Sequence, residues 1–274
     1  MTPETVRVAG HFGELMQGRL GPQGPVVLLT LPCAALGVRA SLATGQGLSF
    51  TRASAAIMPE ERAIKLLKIL NLSISGRLSF ESEMPPGGGA GVSTAALVAL
   101  ARLAGWHGDA ITLAQACIAV EGASDPLMLT LQSQTLWASR QGEILATLPP
   151  PPAMDIIGGF FGPPRRTDPL DMDFPDIADL IPQWQHACLA RDLSGIAALT
   201  SLSANRTLAH RGPQTDPTAS LAAGLGALGY VVAHTGAARG LIFAPQTVPN
   251  GARAVLQEAG FRGVLRFKAG GIGR

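Results

Sequence analysis

Residues 85–94 read Pro-Pro-Gly-Gly-Gly-Ala-Gly-Val-Ser-Thr, and the rest of the chain is parsed from them. Just upstream, Leu78, Phe80 and Ser82 alternate with Arg77, Ser79 and Glu81, the pattern of a half-exposed strand. Downstream, residues 93–104 are an alanine- and leucine-rich run closed by Gly105, which predicts a helix. Gly87, Gly88, Gly89 and Gly91 lie between them, so strand passes to helix through a backbone almost bare of Cβ atoms, open to close approach by a ligand. A helix start of this kind offers unpaired N–H groups and a positive dipole end to an anion. Ser93 and Thr94 stand at that start, where a hydroxyl either caps the helix or reaches a Mg²⁺ carried by a bound triphosphate. The lysine-bearing phosphate loop, Gly-x4-Gly-Lys-Ser/Thr, occurs nowhere.

Outward from this segment, the first 50 residues read as strands. Residues 59–71 predict an amphipathic helix with Ile64, Leu67 and Leu70 on its apolar face. A second helix is expected over about 111–121 and a third beginning within residues 124–139. Strands return around the proline run 149–152, where we place a domain boundary. The second half reads as a Pro- and Asp-rich loop (163–176), helices over 176–210 and 217–228, strands at 230–236 and 240–245, a helix at 251–260 and a last strand at 263–268. Strand groups with covering helices in each half indicate an α+β protein.

The 274 residues carry 21 basic and 19 acidic side chains, a net charge of +2, which lacks the footprint of a nucleic-acid binder. Only Lys65, Lys68 and Lys268 are lysines, so any phosphate must be held by arginine, main chain or metal. Residues 217–238 contain no Asp, Glu, Lys or Arg, but Gly224, Gly226, Gly229, Gly236, Tyr230 and His234 interrupt them, and the stretch reads as a buried helix, turn and strand, not a membrane span. Gly224 to Gly229 satisfy a dinucleotide-type glycine spacing, yet that copy ends a helix and opens a strand, the reverse of the required order. Cys33, Cys117 and Cys188 have neither zinc nor disulfide spacing. Free thiols and an N-terminus without an apolar leader point to the cytoplasm.

Three more segments carry candidate chemistry. In Glu121-Gly-Ala-Ser-Asp125-Pro126, Asp125 is either a general base with Glu121 a Mg²⁺ ligand, or an N-cap ahead of a proline at the first helical position. In Gly10-His-Phe-Gly-Glu-Leu-Met-Gln-Gly18, the polar residues His11, Glu14 and Gln17 either line a pocket or sit in an exposed turn. In His234-Thr-Gly-Ala-Ala-Arg-Gly240, Thr235 and Gly236 belong to a plain hairpin or to a second wall of a ligand site.

These segments, in this order, resemble the conserved motifs of the GHMP kinase superfamily, and within it GHFGELMQG and AHTGAARGLIF look most like the L-threonine kinases of propanediol utilisation and cobalamin synthesis. The resemblance implies a two-domain α+β fold. Its N-terminal ATP-binding half (1–152) would be ribosomal S5 domain 2-like and its C-terminal half (153–274) ferredoxin-like. It implies ATP and Mg²⁺ as cofactors, with Pro86, Gly87, Gly88, Gly89, Ala90, Gly91, Val92, Ser93 and Thr94 around the ATP phosphates. Ser93 and Glu121 would be metal ligands, Asp125 the catalytic base, and His11, Glu14, Gln17, Thr235 and Gly236 would form the substrate side. The partner implied is a small hydroxyl substrate, best matched by L-threonine, with homoserine or another small alcohol as the alternative; no nucleic acid or membrane is expected, and a homodimer is left open. Val92 stands where the first serine of the family's pair usually lies, and the lysine that some members carry in the first motif is absent, which also leaves a nucleotide-binding sensor open. For a substrate carboxylate the candidates are Arg165, Arg166, Arg206 and Arg239.

Overall fold

Long apolar stretches near the N-terminus form the two longest strands, β1 (Glu4–Arg19) and β2 (Val26–Ala43), paired antiparallel along most of their length. A computed structural model describes residues 4–213 and 215–271. The sheet grows from this pair in both directions. On one side β2 pairs with β4 (Gly76–Ser82), which pairs in parallel with the short β3 (Leu48–Phe50). On the other, Glu14 of β1 meets Val232 of β8 (Gly229–Val232), and the sheet continues through β9 (Ala238–Phe243), β7 (Met154–Phe160) and β10 (Arg262–Ala269). A hairpin of β5 (Thr135–Ala138) and β6 (Glu143–Thr147) joins β2 at Val27 and Leu28.

Helix α1 (Glu60–Ile69), α2 (Val92–Leu103) and α3 (Ala110–Glu121) cover the N-terminal strands. Almost every side chain of α2 is buried, as expected of a helix apolar all round, and its alanines bring it close to β1 and β2. Helices α4 (Leu180–Leu189), α5 (Leu193–Arg211), α6 (Thr218–Gly224) and α7 (Ala252–Glu258) belong to the second half. Helix α5 crosses the junction of β1 and β8, where the Ser203 hydroxyl bonds to both N–H and C=O of Gln17. The larger apolar core lies on β1, β2 and α2 and reaches Ile156 and Phe160 of β7; a smaller one gathers Tyr230, Leu241, Leu256 and Phe261.

Two local expectations are corrected. The buried face of α1 is Ala63, Leu66 and Leu67, continued by Leu70, while Ile64 is half exposed. No third helix begins within 124–139: short turns lead through a 3-10 turn at Gln132–Gln134 into β5. Tertiary burial overrides the local pattern there, because Leu136, Trp137 and Ala138 are all buried and pair with β2 and β6. The Trp137 indole N–H also donates to the Ser124 carbonyl at 2.7 Å, tying β5 to the segment before Asp125. The uncharged stretch 217–238 forms α6 and β8, and no helix among the described residues is long and apolar enough to cross a membrane. All three cysteines are buried and unpaired.

Trp137→Ala should cost about 3–5 kcal/mol of unfolding free energy in a urea titration, as for other buried tryptophans, whereas Trp137→Phe should cost clearly less.

Candidate active site

Gly87, Gly89 and Gly91 all have left-handed backbones, at φ 73°, 72° and 80°. A Cβ on Gly89 would sit 2.1 Å from the Thr235 carbonyl oxygen, and one on Gly91 2.7 Å from the His11 ring. These glycines are therefore demanded by the protein packed behind the loop, not only by access for a ligand. That packing is hydrogen-bonded. Arg165 N–H donates to Gly87 C=O, Ala237 and Ala238 N–H both donate to Gly88 C=O, and His11 N–H donates to Ala90 C=O, at 2.8–3.1 Å. With its carbonyls held from behind, the loop leaves the N–H groups of Gly89 to Thr94 without a partner among the described residues. Gly91 is the N-cap of α2 and supplies no side chain, so neither Ser93 nor Thr94 caps the helix and its positive end stays open.

The loop forms one wall of a cleft of ≈ 190 Å³. Of the candidates, Pro86 through Thr94, His11, Glu14, Glu121, Asp125 and Thr235 all line it. Two do not. Gln17 lies in the core, its amide donating to the Val232 carbonyl at 3.1 Å. Gly236 supports the loop from behind, where a Cβ would sit 2.5 Å from Gly89 N.

Glu121 is the last residue of α3, ended by Gly122 in the left-handed region, which leaves its carboxylate at the cleft. Ser93 Oγ donates to it, and Arg62 Nη1 of α1 reaches both, 2.6 Å from Glu121 and 3.3 Å from Ser93. Burial raises the Glu121 carboxyl above its ordinary range, with Ser93 and Arg62 opposing. A hydroxyl and a carboxylate converging on a guanidinium form a seat for a cation, and both oxygens are hard donors of the kind Mg²⁺ takes.

The second centre depends on a strand irregularity. Residues i and i+3 of a regular strand face opposite ways, but β1 shifts register against β2 between His11 and Glu14, with Gly13 at φ 74°, and brings both side chains together. His11 Nδ1 lies 3.4 Å from Glu14, and Nε2 3.4 Å from Asp125. Burial alone would lower the imidazole pKa, but the carboxylates on its two sides push it up to about 9. Burial raises Glu14 to about 8, and its oxygens lack a well-formed hydrogen bond. Asp125 goes the other way: burial would raise it, yet His11 and then Arg140 and Thr94 hold it below the usual carboxylate range. The trio is close enough to hold a metal ion. Asp125 caps no helix; its N–H donates to Thr94 Oγ1 at 3.2 Å, and its side chain stays 27% exposed to the cleft.

No family model and no curated protein matches the chain. Solved structures do. Mevalonate kinase from methicillin-resistant Staphylococcus aureus MRSA252 superimposes with a TM-score of 0.67 at 14% identity, over 99% of this chain and 100% of that one. Homoserine kinase from Cytophaga hutchinsonii gives 0.60 at 15%, over 97% and 94%, and a 4-(cytidine 5'-diphospho)-2C-methyl-D-erythritol kinase 0.60 at 20%, over 98% and 100%. The chain has the GHMP kinase fold.

On the GHMP fold, Val92 is buried at the first turn of α2, so its main-chain N–H, not its side chain, faces the loop's open side. In place of a lysine, the side chain beside Asp125 is His11, with Nε2 3.4 Å from its carboxylate. Sequence reasoning missed Arg62 and Arg140. Arg62 stands in the first turn of α1, and nothing in its spacing signals the cleft. Arg140 follows β5, and only the pairing of β5 with β2 carries it inward. Of the arginines considered for a carboxylate, Arg206 is taken bidentately by Asp179 and Arg239 by the buried Asp216, while Arg165 and Arg166 line the cleft.

Folding raises the proton affinity of His11, so its charge stabilises the protein fully below pH 6.5 and the benefit is lost as pH rises through about 9. An NMR titration of the His11 ring should give a midpoint near 9, moving downward in Glu14→Gln and in Asp125→Asn; a midpoint near the ordinary 6.5 in the wild type contradicts the cluster.

Proposed function

We propose that the chain is an ATP-dependent kinase that phosphorylates a hydroxyl of a small molecule, with L-threonine the first acceptor to test. The observation that carries this reading is one cleft in which the open N-terminus of α2 faces a hydroxyl–carboxylate cation seat and an ionised aspartate. The N–H groups of Gly89 to Thr94 and the helix dipole would hold the phosphates, the task that lysine does elsewhere. Ser93 and Glu121 would hold Mg²⁺ once Arg62 swings aside. Bound ATP and Mg²⁺ supply the phosphoryl group and neutralise its charge. Asp125 would accept the proton of the acceptor hydroxyl, and His11, held charged beside it, keeps the carboxylate ionised and oriented. Phosphoryl transfer asks chiefly for positioning and charge neutralisation, which suits a site built mostly of main chain. The buried free thiols suit a reducing cytoplasm.

ATP consumption should be followed over L-threonine, L-serine, L-homoserine and small neutral alcohols, with the product located by phosphorus NMR. Asp125→Asn should lower turnover about 10²-fold or more with ATP affinity kept, as for the loss of a general base. Ser93→Ala should raise the Mg²⁺ concentration needed for half-maximal rate. ATP binding without turnover on every acceptor would instead support a nucleotide sensor, and wild-type turnover in Asp125→Asn would remove the base assignment.

A further inference from the structure

We infer that Arg140 is the docking group for a carboxylate on the acceptor, making the substrate class short hydroxy acids, amino acids among them, and not neutral alcohols. This rests on the kinase reading above and adds the substrate class. Arg140 enters the cleft from the turn after β5, with its guanidinium next to neutral acceptors only: Ser139 Oγ at 2.7 Å, His234 Nε2 at 3.4 Å and the Asp171 carbonyl at 3.4 Å. Among the described residues no carboxylate lies within 4.0 Å of it, and its Nε is buried without a hydrogen-bond partner. Arg62, Arg206, Arg211 and Arg239 each have a carboxylate partner. Asp125, Asp171 and Asp168 act on Arg140 from beyond contact, so a partly buried guanidinium with an unpaired N–H and no carboxylate against it gains from an anion that joins it.

The group is also held in place. The Phe174 ring lies 5.5 Å from the Arg140 guanidinium carbon and stacks on His234 at 4.0 Å, so His234 presents Nε2 to Arg140 as an acceptor. Burial, with the Arg140 and Arg211 charges adding to it, keeps that imidazole neutral. The Arg140 Nε N–H is unpaired, and a planar guanidinium matches a carboxylate in two parallel hydrogen bonds. Arg140 and Asp125 line the same cleft, so an acid seated on Arg140 keeps its hydroxyl in the space that holds the proposed base. The phosphates have their own donors in the loop and in α2, and Arg165 joins the loop through its main-chain N–H to the Gly87 carbonyl. The spare charge of Arg140 is therefore assigned to the acceptor.

The test compares L-threonine with L-threoninamide, which differ only in the carboxylate, in the wild type, Arg140→Met and Arg140→Gln; Gln keeps hydrogen bonding without charge, and circular dichroism melts check folding. Loss of a charged hydrogen bond worth about 1.5–3 kcal/mol corresponds to a rise in the KM for L-threonine of roughly 10- to 150-fold. The KM for ATP should stay within about twofold, and the preference for acid over amide should collapse in both variants. A rise confined to the KM for ATP would make Arg140 a phosphate ligand and overturn the inference with the kinase reading intact. Equal use of acid and amide by the wild type would overturn it as well. If no acceptor is phosphorylated, the kinase reading fails and calorimetry with L-threonine decides alone: binding to the wild type lost in both variants supports the carboxylate site, and equal or absent binding overturns it.

Discussion

The Gly88 carbonyl, held by the N–H groups of both Ala237 and Ala238, is the constraint on which the rest of the site depends. These two bonds tie a loop between β4 and α2 to the β8–β9 hairpin, which lies more than a hundred residues later in the chain. With the neighbouring carbonyls drawn back by Arg165 and His11, the peptide planes turn, and their N–H groups are left facing the cleft. A positive surface made of main chain is independent of side-chain pKa and rotamer, which is how a protein with three lysines can present one. The cost lies in the left-handed backbones at 87, 89 and 91 and in contacts too close for any Cβ.

Charge in the cleft is divided by burial and by neighbouring charges acting against it. Glu14 is pushed toward neutrality, His11 toward a lasting positive charge and Asp125 toward ionisation, although the three side chains nearly touch. Partners separate the two carboxylates: His11, Arg140 and Thr94 outweigh burial at Asp125, while burial prevails at the enclosed Glu14. Arg62 neutralises the Glu121 seat, while Arg140, Arg165 and Arg166 line the cleft with no carboxylate in contact among the described residues, and of these Arg140 has its Nε buried and unpaired. The separation gives each group a distinct part: main-chain donors for phosphate, an oxygen pair for a cation, an ionised aspartate for a proton.

Much of this was legible from residue order. Gly87–Gly91 between a strand pattern and an alanine-rich helix, and Glu121 four residues before Asp125, are local signals, and the structure gathers them on one cleft. The α+β class and most element positions follow from periodicity. Long-range burial was not legible: the stretch after Asp125 looked helical, but Trp137 and its neighbours are drawn into a strand against β2. The β1 bulge that turns His11 and Glu14 to one side leaves no mark in a sequence read by period two, and Gln17, equally polar, falls on the core side. Arg62 and Arg140 come from surface-looking positions, so their place depends on where α1 and β5 dock.

The most direct measurement is a crystal structure with a non-hydrolysable ATP analogue, Mg²⁺ and L-threonine. The phosphates should accept hydrogen bonds from the main chain between Gly89 and Thr94, with Arg62 withdrawn from Ser93 and Glu121 and the metal in its place. A nucleotide bound away from this loop, or one held there with Arg62 still on Glu121 and no metal at Ser93, would contradict the reading of the cleft as a phosphoryl-transfer site.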